Sequence, residues 1–110
     1  MKPEDAVRIT YAAYNARNLA RALEALAPDV EWDDGSGNLI KGKNAVAEHW
    51  TEQWREADAK VHIEKLSRYG STFHLVIGLD IRTSQGSRAQ QKLNNVIEFD
   101  GDLIRIMRIE

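Results

Sequence analysis

The chain contains no cysteine. Disulfides and thiolate metal ligands are therefore excluded, and the fold must be held by its apolar core. Only two prolines are present, and aromatic residues make up 7% of the chain. Neither sign of charge dominates: 15 Lys and Arg are scattered among 17 Asp and Glu, for a net charge of −2. No electrostatic footprint for nucleic acid is visible. No apolar run approaches the roughly 20 residues that span a bilayer. The opening MKPEDAVRITYAAY lacks a basic segment leading into an apolar one, so it does not read as a signal peptide. The expectation is a cytoplasmic protein without nucleic-acid or membrane partners. His49, His62 and His74 lack metal-ligand spacing, and no phosphate-binding glycine loop or nucleophile elbow occurs. No metal and no cofactor are expected.

What is present suits a small globular protein. The 110 residues are 43% apolar, enough for one domain spanning 1–110 with one core. Pro3 to Ala16 reads as a helix, with Pro3 in its first turn and Glu4 and Asp5 complementing its positive end. Val7, Thr10, Tyr11 and Tyr14 share one face, beside a second apolar set at Ile9, Ala12, Ala13 and Ala16. Asn18 caps a short second helix, Leu19 to Leu26, that stops before Pro28. Val30 to Asp33 is a short extended piece. Gly42 to Ala57 reads as a third helix with Val46, Trp50, Trp54 and Ala57 on one face.

Beyond Ala57 the apolar period changes. Val61–Arg68, Thr72–Thr83, Arg88–Phe99 and Leu103–Ile109 read as four strands, separated by turns at Gly70-Ser71, Gln85-Gly86 and Asp100-Gly101. Helices followed by a meander of long strands argue an α+β fold, helices packed on one face of a curved antiparallel sheet.

At this point the chain resembles the nuclear transport factor 2-like superfamily, which includes ketosteroid isomerases, SnoaL-like polyketide cyclases and limonene epoxide hydrolases. Four segments carry the resemblance: Tyr11-Ala-Ala-Tyr-Asn-Ala-Arg-Asn-Leu, Leu26-Ala-Pro-Asp-Val-Glu-Trp-Asp-Asp, Gly42-Lys-Asn-Ala-Val and Ile97-Glu-Phe-Asp-Gly-Asp-Leu-Ile-Arg. The resemblance implies a cone-shaped fold around a pocket. It also implies a small, largely apolar ligand, handled by an isomerase, cyclase or hydrolase with a pocket carboxylate as general base. A non-catalytic ligand-binding or dimerisation module of the same fold is the alternative.

Candidate residues follow from the resemblance. Asp34 matches the general-base carboxylate of ketosteroid isomerases, although Asp33-Asp34-Gly35 is also ordinary turn chemistry. Asn95 falls where those enzymes keep an oxyanion-donating acid, and an amide can donate without a pKa shift. An inward polar residue bonded to its neighbours is the alternative. The oxyanion tyrosine corresponds to Thr10, so Tyr14, one turn further along, is taken as the pocket donor.

In the strand 72–83, Phe73, Leu75, Ile77, Leu79 and Ile81 share one face and His74, Val76, Gly78, Asp80 and Arg82 the other. One reading puts the apolar face on the helices and leaves His74, Asp80 and Arg82 in water; the family register implies the reverse, with the polar face inward and the apolar face meeting a partner subunit. Asp80 and Arg82 then echo, in opposite order, the pair with which epoxide hydrolases activate water. A shift of one residue inverts this assignment. The same register points Ile104, Ile106 and Arg108 inward, with Arg108 available to an anionic ligand. Trp32, Trp50 and Trp54 are read as core and pocket wall. Three helices cover only one face of the sheet, while Val76, Val96 or Ile106 add apolar surface to the other. A homodimer joined through the sheet is expected.

Overall fold

The computed structural model describes residues 2–110. Helix α1 (Pro3–Asn15) opens with Pro3 in its first turn and acidic Glu4 and Asp5 beside its N-terminal N–H groups. Its core face carries Ala6, Val7, Thr10, Tyr11, Ala13 and Tyr14, while Ala12 is exposed. The helix stops where Arg17 takes a left-handed φ of 56°. The Asn15 side chain then acts as an extra rung for the sheet: it donates to the Val61 carbonyl at 2.6 Å and accepts from the Val61 N–H at 2.7 Å.

Helix α2 (Leu19–Leu23) is capped by Asn18, whose Oδ1 accepts from the Arg21 N–H at 3.2 Å. It ends three residues earlier than the sequence predicts. Leu26 instead begins strand β1 (Leu26–Asp33), where it is fully buried opposite Ile104. Pro28 sits inside this strand, where the ladder is irregular between Leu26 and Glu31, so its missing N–H breaks no regular rung. A short strand β2 (Leu39–Lys41), not expected from sequence, folds back on β1 as a hairpin. Gly42 then caps α3 (Lys43–Glu56) at φ 90°, a conformation that favours glycine. Val46 and Trp50 form the buried face of α3.

Strands β3 (Ala57–Tyr69), β4 (Thr72–Thr83), β5 (Arg88–Asp100) and β6 (Leu103–Ile109) follow as an antiparallel meander. The six-stranded sheet has the order β2-β1-β6-β5-β4-β3 and does not close. All its pairs are antiparallel except β1 with β6, which are parallel. This is the expected α+β architecture, with one non-local parallel pair added. Among the described residues, no helix is long and apolar enough to cross a membrane.

The core lies between the three helices and the inner face of the sheet. Phe73, Leu75, Ile77 and Ile97 from the meander meet Val7, Val46 and Trp50 from the helices in one apolar cluster. The expectation of an inward polar face on β4 is therefore corrected. His74 and Arg82 are exposed on the outer face, with Asp80 and the small Gly78 beside them. Burying Asp80 and Arg82 would cost their hydration, whereas burying Phe73, Leu75 and Ile77 releases water from apolar surface.

Candidate functional site

The cone encloses a cavity of about 140 Å³ between α1, α3 and the sheet. Its floor and walls are mostly apolar: Ile77, Leu79 and Leu93 from the meander, Met107 and Ile109 from β6. Tyr11, Tyr14, Trp32 and Trp50 add four aromatic rings. Tyr14 stands edge-on to Trp50, with ring centroids 5.6 Å apart at 77°, and tilted against Trp54 at 5.4 Å. These contacts place Tyr14, Trp32 and Trp50 in the cavity lining. Trp54 lies behind Tyr14 and supports it.

Five lining residues bring hydroxyl, carboxylate or amide groups: Thr10, Tyr11, Tyr14, Asp34 and Gln53. Each hydroxyl already gives its proton to the protein. Thr10 Oγ1 donates to the Ala6 carbonyl at 2.8 Å, one turn back on α1. Tyr14 donates to Gln53 Oε1 at 3.1 Å. The Tyr11 hydroxyl donates to Asn95 Oδ1 in a very short bond. Burial raises the pKa of both tyrosines, so both are neutral phenols at physiological pH.

Asn95 is fully buried but is not part of the lining. Its Nδ2 donates to the Arg108 carbonyl at 3.0 Å. A carbonyl can only accept, so this bond fixes the amide with Oδ1 toward Tyr11. The expected oxyanion donor thus orients Tyr11 and bonds the β6 backbone, away from the cavity lining. Tyr11, rather than Thr10 or Tyr14, is the helix residue in contact with it. A turn of one position along α1 rotates a side chain by about 100°, and counting along the sequence missed this residue by that one step.

Asp34 stands in the loop after β1 and contributes to the lining. The loop is held by close packing. At Gly35, with φ 81°, a Cβ would lie 3.2 Å from the Ile109 carbonyl and 3.3 Å from Ile109 Cγ2, so glycine lets the loop rest against the end of β6. Asp34 Oδ1 accepts from the Ser36 N–H at 2.9 Å and from Ser36 Oγ at 2.6 Å, and Oδ2 accepts from Asn38 Nδ2 at 3.3 Å. These bonds from Ser36, and secondarily Asn38, lower the Asp34 pKa. The carboxylate is therefore ionised throughout the neutral range, available as a hydrogen-bond acceptor and weak as a base.

The remaining candidates lie elsewhere. Asp80 bonds Arg88 on the outer face at 3.1 and 3.3 Å, and that hydrogen bond lowers its pKa. Arg82 is exposed beside it. Arg108 also points outward, with Glu98 at 3.7 Å and Glu110 at 3.5 Å, because its neighbours Met107 and Ile109 take the inner positions. The inward roles expected for Asp80, Arg82 and Arg108 are corrected for one shared reason: β4 and β6 turn their apolar faces to the helices. Among the described residues, no three His, Cys, Asp or Glu side chains gather as a metal site.

Sequence reasoning also passed over Gln53 and Met107. Gln53 lies on α3 three residues after Trp50, a spacing that marks the same face. Met107 alternates with Arg108, so the strand period held its signal once the correct face was known.

Comparison with known proteins agrees with this geometry. No protein of curated function matches the sequence. An NTF2-like protein of unknown function from Burkholderia pseudomallei is similar at a TM-score of 0.89 and 22% identity, covering 100% of this chain and 91% of that one. A Mycobacterium tuberculosis protein, solved in complex with estradiol-17beta-hemisuccinate, superposes at 0.88 with 20% identity, covering 99% and 93%. A protein with a ketosteroid isomerase-like fold from Catenulispora acidiphila, solved in complex with trimethylamine, superposes at 0.87 with 15% identity, covering 96% and 83%. At these identities the likeness is one of fold. The sequence profile described as the SnoaL-like domain matches residues 7–107. A match over nearly the whole chain, on a cone of three helices and a curved sheet, makes this protein a member of the SnoaL-like domain family.

Proposed function

We propose that the protein binds one small, largely apolar molecule in the cavity between α1, α3 and the sheet. The observation that carries this reading is the cavity itself: about 140 Å³, walled mainly by aliphatic and aromatic side chains, with a few polar groups converging on it. An apolar void of about 150 Å³ accommodates a single benzene-sized ring. The ligand is therefore of one-ring size, or inserts one ring and leaves the rest at the mouth. Methyl-resolved NMR tests this. Single-ring compounds should shift the methyl signals of Met107, Ile77 and Leu79 and leave those of Val76, on the outer face, in place. Perturbation confined to the outer face would overturn the reading.

Proton-transfer chemistry is a second reading, favoured by one observation: Asp34 brings a carboxylate to the lining. Its bonds from Ser36 and Asn38 oppose a role as general base, since they hold the charge rather than release it to a proton. Catalysis would require substrate to displace those donors. With a turned-over substrate in hand, Asp34→Asn should slow the reaction by about a hundredfold or more. An unchanged rate would mean that the base is elsewhere.

The proposal includes a homodimer joined through the outer face of the sheet. Half-buried Val76 and Ile106 lie there beside the already buried Val96, and charged residues surround this strip. An apolar centre with a charged rim suits an isologous interface. Sedimentation at tens of micromolar should give twice the monomer mass, and Val76→Glu should restore the monomer. A wild-type monomer under those conditions removes the dimer.

A further inference from the structure

Every charged or hydroxyl-bearing group around the cavity offers the same kind of atom. Among the described residues, Asp34 is the lining group that carries a full charge, and that charge is negative. No Lys, Arg or His joins it there. Arg17 comes near enough to Tyr14 to oppose the rise in its pKa, but Arg17 is exposed and paired with Asp58 at 3.4 Å. The hydroxyl protons of Thr10, Tyr11 and Tyr14 are committed to Ala6, Asn95 and Gln53, so their oxygens present lone pairs. The Trp32 indole N–H is buried without a partner and has no exposed surface. Of the lining side chains, the Gln53 amide and the Trp50 indole keep N–H groups to offer, and both are neutral.

An anionic group in this cavity would meet two neutral donors, no cation, and the negative charge of Asp34. A cation would meet the reverse. Tyr11, Tyr14, Trp32 and Trp50 supply four aromatic rings, whose faces are electron-rich and attract a positive charge. Asp34 supplies the counter-charge, held ionised by Ser36 and Asn38. The void is too small to admit a hydrated ion with its shell and too apolar to hold one. The cation that fits carries its charge on a greasy body.

Resting on the pocket reading above, we infer that the ligand class is a small organic ammonium: an alkyl- or arylalkylammonium whose apolar part fills the cavity and whose nitrogen lies among the aromatic rings, facing Asp34. The protonated nitrogen donates to Asp34 and to the hydroxyl oxygens. A fully alkylated nitrogen would be held by the rings and the carboxylate charge alone.

The test uses three probes with one ring and different heads: benzylammonium, benzyl alcohol and benzoate. Affinities are read by calorimetry and by the Met107 methyl signal. The expected order is ammonium, then alcohol, then benzoate, with the ammonium at least about tenfold tighter than the alcohol. Asp34→Asn keeps an acceptor for the Ser36 N–H and hydroxyl, gives up the bond from Asn38, and removes the charge. It should erase most of that preference by weakening ammonium binding far more than alcohol binding. Circular dichroism confirms that the variant folds. Equal or tighter binding of alcohol or benzoate overturns the ammonium assignment while the pocket reading stands. An ammonium preference that survives in Asp34→Asn and vanishes when Tyr14 becomes Phe would also overturn the role given to Asp34. Failure of all three probes to bind at millimolar concentration overturns the pocket reading, and the ammonium assignment with it.

Discussion

A Trp50→Ala variant is expected to lose about 3–5 kcal/mol of folding stability. Trp50 is 3% exposed, sits on the buried face of α3 beside Val46, and meets the edge of Tyr14. Truncation removes an aromatic contact between α3 and α1 and opens a void that joins the existing cavity. The helices cannot close over it, because Tyr14 is tied to Gln53 and Val46 is fully buried under α3. The loss is a large share of the roughly 5–15 kcal/mol that holds a domain together. Urea unfolding measures it. The same variant should admit a two-ring ligand that the wild type excludes. A loss under about 1 kcal/mol would mean that this wall collapses freely and that Trp50 does not set the cavity's size.

The second large effect concerns Asn95. In Asn95→Leu the Tyr11 hydroxyl loses its acceptor and the Arg108 carbonyl loses its extra donor. Stranding a buried polar group costs about 1–3 kcal/mol, so the variant should lose roughly that for Tyr11 and somewhat more for the strand. The diagnostic is the double variant. Tyr11→Phe alone leaves Asn95 Oδ1 unpartnered and destabilises. Added to Asn95→Leu, it removes the stranded hydroxyl and should recover part of the loss. Chemical denaturation of the four proteins in this cycle gives the coupling, expected at about 1 kcal/mol or more. Strict additivity would show that the two side chains do not depend on each other. The cycle also bears on function, because Tyr11 reaches the cavity in an orientation that Asn95 sets.

The fold was legible in the sequence wherever its signal is local. Helix α1 announces itself by Pro3, two acidic residues and the Val7–Tyr11–Tyr14 face, and α3 by Val46 and Trp50 at helical spacing. The long strands follow from their period of two and from the turns that part them. Short elements were less visible. Strand β2 has three residues and no period to read, and the early end of α2 is imposed by Ile104, nearly eighty positions away, which pairs with Leu26.

For the site, the sequence determined which residues occupy each strand face and each helix stripe, and it placed Asp34, Tyr14, Trp32 and Trp50 where the cavity forms. It could not determine which β4 face turns inward. Alternation divides Leu79 from Asp80 with equal clarity in either register, and only packing against the helices ranks the two. Once Phe73, Leu75 and Ile77 enter the core, Asp80, Arg82 and, on β6 beyond β5, Arg108 are carried to the outer face together. Likewise, Tyr11 and Thr10 are adjacent in sequence, but the tilt of α1 over the sheet gives Tyr11 to Asn95 and turns Thr10 back onto its own helix. Local chemistry is written residue by residue. The inside of this protein is chosen by long-range packing, because burying apolar surface and keeping charges hydrated are satisfied by the whole sheet at once.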